Sequence, residues 1–258
     1  MKLKSLFQTG RVVVTAHRGF SGLYPENTLT AFAQAVETGA DIVEFDVGQS
    51  RDGQLVILHD DTLDRTTNGQ GRLADHTWNE LANLNATYWS GPHNSGQCLA
   101  QPTGREGLPR LEDALELLAG RVGMNIQIKS SMNLDGLKRV VELYRAHQLQ
   151  DSAFLMLPTF EVAQCVRNWA DDVAICVGEA RADLDRHRAF NVDFLQPTRS
   201  TLQVEGYLPR LLEWGAPFSV FYANDVAAMA NLLDQGVRGI LTDRPDMLIE
   251  VARARGLK

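Results

Sequence analysis

The stretch IVEFDVGQSRDGQLVIL, residues 42–58, holds two apolar runs, residues 42–47 and 55–58, joined through Ser50-Arg51-Asp52-Gly53. Asp-Gly between two such runs reads as a tight hairpin turn. The first run carries Glu44 and Asp46 two residues apart, so both carboxylates project from the same side of a strand. Ile42, Val43, Phe45 and Val47 surround them and mark the strand as buried. Two carboxylates in such a setting repel one another unless a cation lies between them, and hard oxygen ligands suit Mg²⁺ or Ca²⁺. A pair of surface carboxylates on an edge strand is the plainer alternative.

Outward from this hairpin the chain keeps one rhythm. Short apolar runs at residues 12–16, 124–128, 153–157, 173–177, 192–195, 218–222 and 239–242 alternate with amphipathic segments at 28–38, 111–119, 134–147, 161–169, 202–214 and 225–234. Continuous apolar strands separated by helices argue for an α/β protein with a parallel sheet covered on both faces. With the hairpin counted as one unit, eight strand-helix units remain. Eight units in a chain of 258 residues match a closed (β/α)8 TIM barrel. A doubly wound sheet fits less well, because no GxGxxG follows the first run. No internal repeat is visible, and residues 1–258 read as one domain.

Residues 61–107 break the rhythm with Asn68-Gly69, Gly71, Gly91-Pro92, Ser95-Gly96, Pro102 and Gly104. That is too long for a structureless connection inside a compact domain. The expectation is a small insertion after the second strand unit, capping one end of the barrel, with a short helix at 77–84. Tyr88 and Trp89 in it could line a mouth for a larger substrate, or simply pack the cap.

Bulk composition excludes several classes. A 44% hydrophobic content supports a full core, and the net charge of −7 comes without a basic run, so nucleic acid is not an expected partner. Cys98, Cys165 and Cys176 are odd in number and lack CxxC spacing, which argues against a disulfide framework or zinc. The N-terminal MKLKSLFQTGR is no secretory signal, and no run approaches the ~20 apolar residues of a membrane span. A cytoplasmic protein without stable membrane insertion is expected; the oligomeric state is left open.

The chemistry gathers at strand ends, where barrel sites form. His17 and Arg18 lie just past the first run, and His59 follows residues 55–58 to the same end. A phosphodiester hydrolase needs one group to deprotonate the nucleophile and another to protonate the leaving alkoxide. Imidazole, with a pKa near ~6.5, does either job. A lone histidine is more often structural, but two at neighbouring strand ends, beside an arginine suited to bidentate phosphate binding and two carboxylates, form an acid/base and phosphate-binding set.

Three runs carry a specific resemblance: AHRGFSGLYPENTLTAF, VEFDVGQSRDGQLVILHDDTLDRTTNGQG and GVRGILTDRP. In them the chain resembles the glycerophosphodiester phosphodiesterases, over essentially its whole length. The resemblance implies a TIM barrel with a small insertion after the HD motif. It also implies metal-assisted hydrolysis of glycerophosphodiesters to glycerol 3-phosphate and an alcohol. His17 and His59 would be the acid/base pair and Arg18 a phosphate ligand. Glu44 and Asp46 would hold a divalent cation, and Pro25-Glu26-Asn27 would shape the first loop.

Two departures stand out. The family's third strand reads like N-I-E-I-K, with the glutamate a third metal ligand and the lysine on phosphate; this chain has Asn125-Ile126-Gln127-Ile128-Lys129. Lys129 is kept. Gln127 offers a carbonyl oxygen without charge, so a Mg²⁺ or Ca²⁺ site is weakened. The family's W-T-V-N becomes Phe221-Tyr222-Ala223-Asn224. Glu179, after the run at 173–177, is a candidate to replace the missing carboxylate. The leading expectation is a phosphodiesterase acting on a small-molecule phosphodiester. Two alternatives are a catalytically weakened or inactive phosphodiester-binding protein and a lysophospholipase D-like enzyme.

Overall fold

The computed structural model describes residues 2–89, 97–98 and 105–258. Its strands are β1 (Val13–Ala16), β2 (Ile42–Gln49), β3 (Leu55–Ile57), β4 (Tyr88–Trp89), β5 (Gln97–Cys98), β6 (Gly123–Ile128), β7 (Ala153–Leu157), β8 (Ile175–Val177) and β9 (Gly239–Thr242). The main sheet runs β8-β7-β6-β2-β1-β9, and every neighbouring pair in that order is parallel. The expected hairpin is present: β3 folds back antiparallel onto the end of β2, with Val47 opposite Ile57. The protein is therefore α/β with a mainly parallel sheet.

Two expected strands take a looser form. Residues 192–195 and 218–222 take part in isolated parallel bridges, Leu195 to Phe218, Thr198 to Phe221 and Val220 to Ile240, in place of full ladders. The Leu195 N–H donates to the Pro217 carbonyl and the Val220 N–H to the Gly239 carbonyl, each at 2.9 Å. Pro197 and Pro217 flank this region and have no N–H to give a ladder. The run at 173–177 likewise shortens to β8.

The sheet sorts β2 by alternation. Val43, Phe45 and Val47 join the large cluster shared with helix residues such as Phe32, Leu115 and Val140. Ile42 joins a second cluster on the opposite face with Val13, Phe154, Met156, Cys176 and Phe194, into which Leu3 also packs. Glu44 and Asp46 follow Ile42 on that second face, nearer the C-terminal end of the strand.

The helices mostly begin where side chains can cap them. Thr28 accepts from the Ala31 N–H at the start of the helix Leu29–Thr38, and Asn133 accepts from the Gly136 N–H at the start of Leu134–Ala146, supplying partners to exposed N-terminal donors. The segment 202–214, expected as one helix, is helical over Tyr207–Trp214, while Leu202 ends a separate short helix, Arg199–Leu202. Gly206, at φ +71°, lies between them. Helices Leu184–Phe190 and Pro245–Arg253 complete units that periodicity alone did not mark.

Within 61–107 the described residues form a turn at Leu73–Asp75, a short helix Trp78–Leu81 and the β4–β5 ribbon. The short helix carries a Thr77/Glu80 capping box. Leu63, Leu73, Leu81 and Ala86 form a cluster with Val56 and Leu58 beside β3. Tyr88 is half-buried; the Trp89 side chain lies outside the described residues, as do residues 90–96 and 99–104. Among the described residues no helix is long and apolar enough to cross a membrane.

Candidate active site

The loop after β1 positions the first group. Arg18 has φ +54° and Gly19 φ +79°, and a Cβ on Gly19 would lie 2.7 Å from the Ala31 carbonyl carbon. Glycine alone fits that turn. The turn presents the Arg18 N–H to Glu44 Oε2 at 2.8 Å. Asn27, itself at φ +58°, donates its amide to Asp46 Oδ2 at 3.0 Å and accepts from the Asp46 N–H at 3.3 Å. The Pro-Glu-Asn segment thus orients the second carboxylate.

His17 is buried, with Nδ1 2.6 Å from Asp243 Oδ1. Asp243 also accepts from Ser21 Oγ at 3.1 Å and Asn224 Nδ2 at 2.5 Å. Phe221 meets the His17 ring edge-on at 5.3 Å, and Tyr222 stacks on it at 5.9 Å. His59 repeats the arrangement, with Nδ1 2.6 Å from Asp60 Oδ1. Arg65 grips Asp60 through Nε at 2.6 Å and Nη2 at 2.8 Å, and also donates to Glu26. Glu26 in turn accepts from Arg18 Nη1 at 2.8 Å. In both histidines a carboxylate holds Nδ1, which leaves Nε2 for proton transfer.

The two rings differ in their protonation. Burial pulls the His17 pKa down, but the bond to Asp243 and the charge of Glu44 outweigh it and leave it raised. Burial dominates at His59 and leaves its pKa lowered, despite the nearby charge of Asp46. Asp60 is driven down to about 2, chiefly by its bond to Arg65. Groups whose environments push their pKa values apart are suited to opposite acid/base roles.

Glu44 and Asp46 are both buried. Burial first, then the charge of Asp46, pushes the Glu44 carboxyl up to about 7. Lys129 Nζ lies 3.6 Å from Asp46 Oδ1, and Arg18 Nε lies 3.5 Å from Asp46 Oδ2. Even so, Asp46 Oδ1 is buried without a hydrogen-bond partner. Gln127 is the register partner of Asp46 on β6 and half-buried. No group of three or more His, Cys, Asp or Glu side chains placed to hold a metal occurs among the described residues. Two close carboxylates, one with a free oxygen, beside a neutral amide fit a divalent cation held by a reduced charge complement.

The structure brings His17, Arg18, Glu44, Asp46 and Lys129 together, with His59 joined through Asp60, Arg65 and Glu26. Glu179 does not belong with them. Its carboxylate accepts from the Phe160 N–H at 2.9 Å and faces Arg186 at 3.3 Å, so it caps a neighbouring helix. The reading of Glu179 as a substitute metal ligand is corrected accordingly. Sequence reasoning assigned no role to Asp243, Arg65 or Asn224, although Asp243 stands in TDRP and Arg65 in RTT.

Residues 17–247 match the profile of the Glycerophosphoryl diester phosphodiesterase family. A glycerophosphodiester phosphodiesterase of Bacillus altitudinis is 30% identical over 258 residues, covering 92% of this chain and 97% of that protein. One from Caldanaerobacter subterraneus subsp. tengcongensis is 29% identical over 262 residues, covering 95% of this chain and all of that protein. Among solved structures, an Oleispira antarctica phosphodiesterase in complex with the product sn-glycerol-3-phosphate superposes with a TM-score of 0.81 at 26% identity, covering 96% of this chain and 99% of that one.

Proposed function

The chain belongs to the glycerophosphoryl diester phosphodiesterase family, and on that premise we propose that it hydrolyses glycerophosphodiesters to glycerol 3-phosphate and an alcohol with a histidine acid/base pair and a bound divalent cation. The observation that carries this reading is the pair of imidazoles, each with a carboxylate on Nδ1, beside the Glu44, Asp46, Arg18 and Lys129 cluster. We also assign the fold to a closed (β/α)8 barrel of one domain with 61–107 inserted. The bridges at Leu195–Phe218 and Val220–Ile240 support closure. Cys165 and Cys176 are free, in keeping with a cytoplasmic protein.

Glu44 and Asp46, with the Gln127 carbonyl oxygen, would hold Mg²⁺ or Ca²⁺. When bound, the cation polarises a phosphoryl oxygen and offsets developing negative charge. Arg18 and Lys129 stabilise the remaining charge on the phosphoryl oxygens. Burial lowers the His59 pKa and so favours its neutral imidazole, and the ring is half-exposed. Its Nε2 takes the proton of the attacking hydroxyl, from water or from the substrate's own glycerol. His17 carries its proton to higher pH, because Asp243 and Glu44 favour the imidazolium. Its Nε2 protonates the leaving oxygen.

The test is release of glycerol 3-phosphate from glycerophosphoserine, glycerophosphoethanolamine and glycerophosphocholine by metal-stripped protein, then across a Mg²⁺, Ca²⁺ and Mn²⁺ titration. Metal-dependent release supports the reading, and no release from any diester refutes it. The neutral Gln127 favours one second reading, a phosphodiester-binding protein. Turnover by Gln127→Glu alone would establish it. Lysophosphatidylcholine in the same assay tests the lipid-bearing alternative.

A further inference from the structure

A cavity opens beside the candidate active site, at the C-terminal ends of β6, β7 and β8. It measures about 230 Å³ and is lined by Gln127, Lys129, Met156, Pro158, Gly178 and Arg181. That is below the roughly 300–1,000 Å³ of pockets for drug-sized ligands, and it is sized for a small polar group.

Arg181 is unusual among the cations near the site. Arg18 and Arg65 are ion-paired with Glu26, and Lys129 faces Asp46. Among the described residues, Arg181 has no carboxylate within ion-pair distance. Its Nε donates to the Gly178 carbonyl at 3.1 Å, which fixes the guanidinium and leaves Nη1 and Nη2 to other acceptors. Nearby Glu179 is engaged by Arg186 and the Phe160 N–H. Burial without a carboxylate holds the Arg181 pKa below its usual value. A half-buried guanidinium without a counter-charge is a poor device for stability, but its fork matches a carboxylate or phosphate.

The direction of the cavity matters. The Arg181 guanidinium lies over the Phe221 ring, 5.6 Å from its centroid, and the same ring meets His17 edge-on. Lys129 both faces Asp46 and lines the cavity. Phe221 thus links the His17 ring to Arg181, and Lys129 links Asp46 to the cavity.

We propose that Arg181 is a specificity-determining residue that receives a negatively charged group on the alcohol half of the diester, so that the enzyme prefers glycerophosphodiesters whose alcohol carries a carboxylate, as the zwitterionic serine head group does, over those whose alcohol carries only a cation. Gln127 fits this arrangement, because a glutamate there would oppose the same anionic group. The inference rests on the proposed phosphodiesterase reading.

The test compares kcat/KM for glycerophosphoserine and glycerophosphocholine in wild type, Arg181→Met and Arg181→Lys. Methionine keeps an unbranched stem and removes the charge. Arg181→Met is expected to lose about 10–100-fold on glycerophosphoserine, the worth of a charge-assisted hydrogen bond, and to change less than threefold on glycerophosphocholine. Lysine should recover part of the loss. Equal losses on both diesters, no loss on either, or a wild-type preference for glycerophosphocholine would overturn the proposal while leaving the phosphodiesterase reading intact. Calorimetric titration of His17→Ala protein with the two diesters, with and without Arg181→Met, reads binding without turnover. Equal affinities there also overturn the proposal. Tighter binding of glycerophosphoserine with no hydrolysis by wild type would keep it and reject the enzymatic reading.

Discussion

Replacing Asp243 with asparagine tests the division of labour between the histidines. Asp243 accepts from three donors, His17 Nδ1, Ser21 Oγ and Asn224 Nδ2. An asparagine has one acceptor oxygen, so its NH2 must face at least one donor. The variant therefore loses the carboxylate charge and either the His17 or the Asn224 bond. A hydrogen bond to a charged group contributes about 1.5–3 kcal/mol, and each pKa unit corresponds to about 1.4 kcal/mol. The His17 pKa should fall by about 1–2 units. The assay is a pH profile of kcat/KM from pH 5 to 10. In wild type, activity should fall at high pH as His17 loses its proton, through a pKa above its ordinary value, and at low pH as His59 gains one, through a pKa below its ordinary value. In Asp243→Asn the alkaline limb should move about 1–2 pH units toward acid while the acid limb stays fixed. Activity at pH 8 should drop about 10–100-fold, and less at pH 6. An alkaline limb that does not move, or an acid limb that moves instead, would refute the assignment of His17 as the acid.

Other outcomes follow from the same geometry. His59→Ala should cut kcat by roughly 10²–10⁴ and abolish the acid limb; a variant within threefold of wild type would remove His59 from the mechanism. Glu44→Gln should stabilise the metal-free fold at pH 8 by about 1–2 kcal/mol, raising Tm by about 2–8 °C. The sign is set by the raised Glu44 pKa: between its unfolded value and about 7 the folded state holds the extra proton, so stability falls as pH rises through that window. The same variant should lose the Tm increase that Mg²⁺ or Ca²⁺ gives wild type, and differential scanning calorimetry reads both effects. Gln127→Glu should tighten Ca²⁺ binding at least tenfold, measured by calorimetry; unchanged affinity would place the cation away from β6.

Local alternation made much of the fold legible. Residues 42–47 announced their two faces, and the structure divides Ile42 from Val43 and Phe45 in that way. Residues 192–195 and 218–222 pair in parallel but only through isolated bridges, which were not legible because apolar content alone does not register neighbouring prolines. The helix expected from residue 202 starts only at Tyr207, where Gly206 in the left-handed region forms its N-cap. The site divides similarly. His17, His59, Glu44 and Asp46 were visible because their residue types are rare at the ends of buried runs. Asp243 was not, because its partner His17 lies 226 positions away. Arg65 and Arg181 were not, since arginine is common on surfaces and only burial and partners separate the two cases. Glu179 looked promising at a strand end, but the helix starting at Phe160 claims its carboxylate.

The charges of the Glu44, Asp46, Arg18 and Lys129 cluster argue for a reaction site over a structural core. Glu44 is held protonated to about pH 7 by burial and by Asp46, while Asp46 keeps one buried oxygen without a hydrogen bond beside Arg18 and Lys129. A core built for stability would have replaced such groups with apolar ones, which pack at no desolvation cost. In the proposed reading, a divalent cation would offset the repulsion between Glu44 and Asp46, and a phosphodiester anion would offset Arg18 and Lys129. Each would then strengthen the binding of the other. It follows that glycerol 3-phosphate should raise Ca²⁺ affinity and Ca²⁺ should raise glycerol 3-phosphate affinity by the same factor. Equal affinities with and without the second ligand, measured by calorimetry, would mean that the two occupy separate fields and that the carboxylates do not face the phosphate.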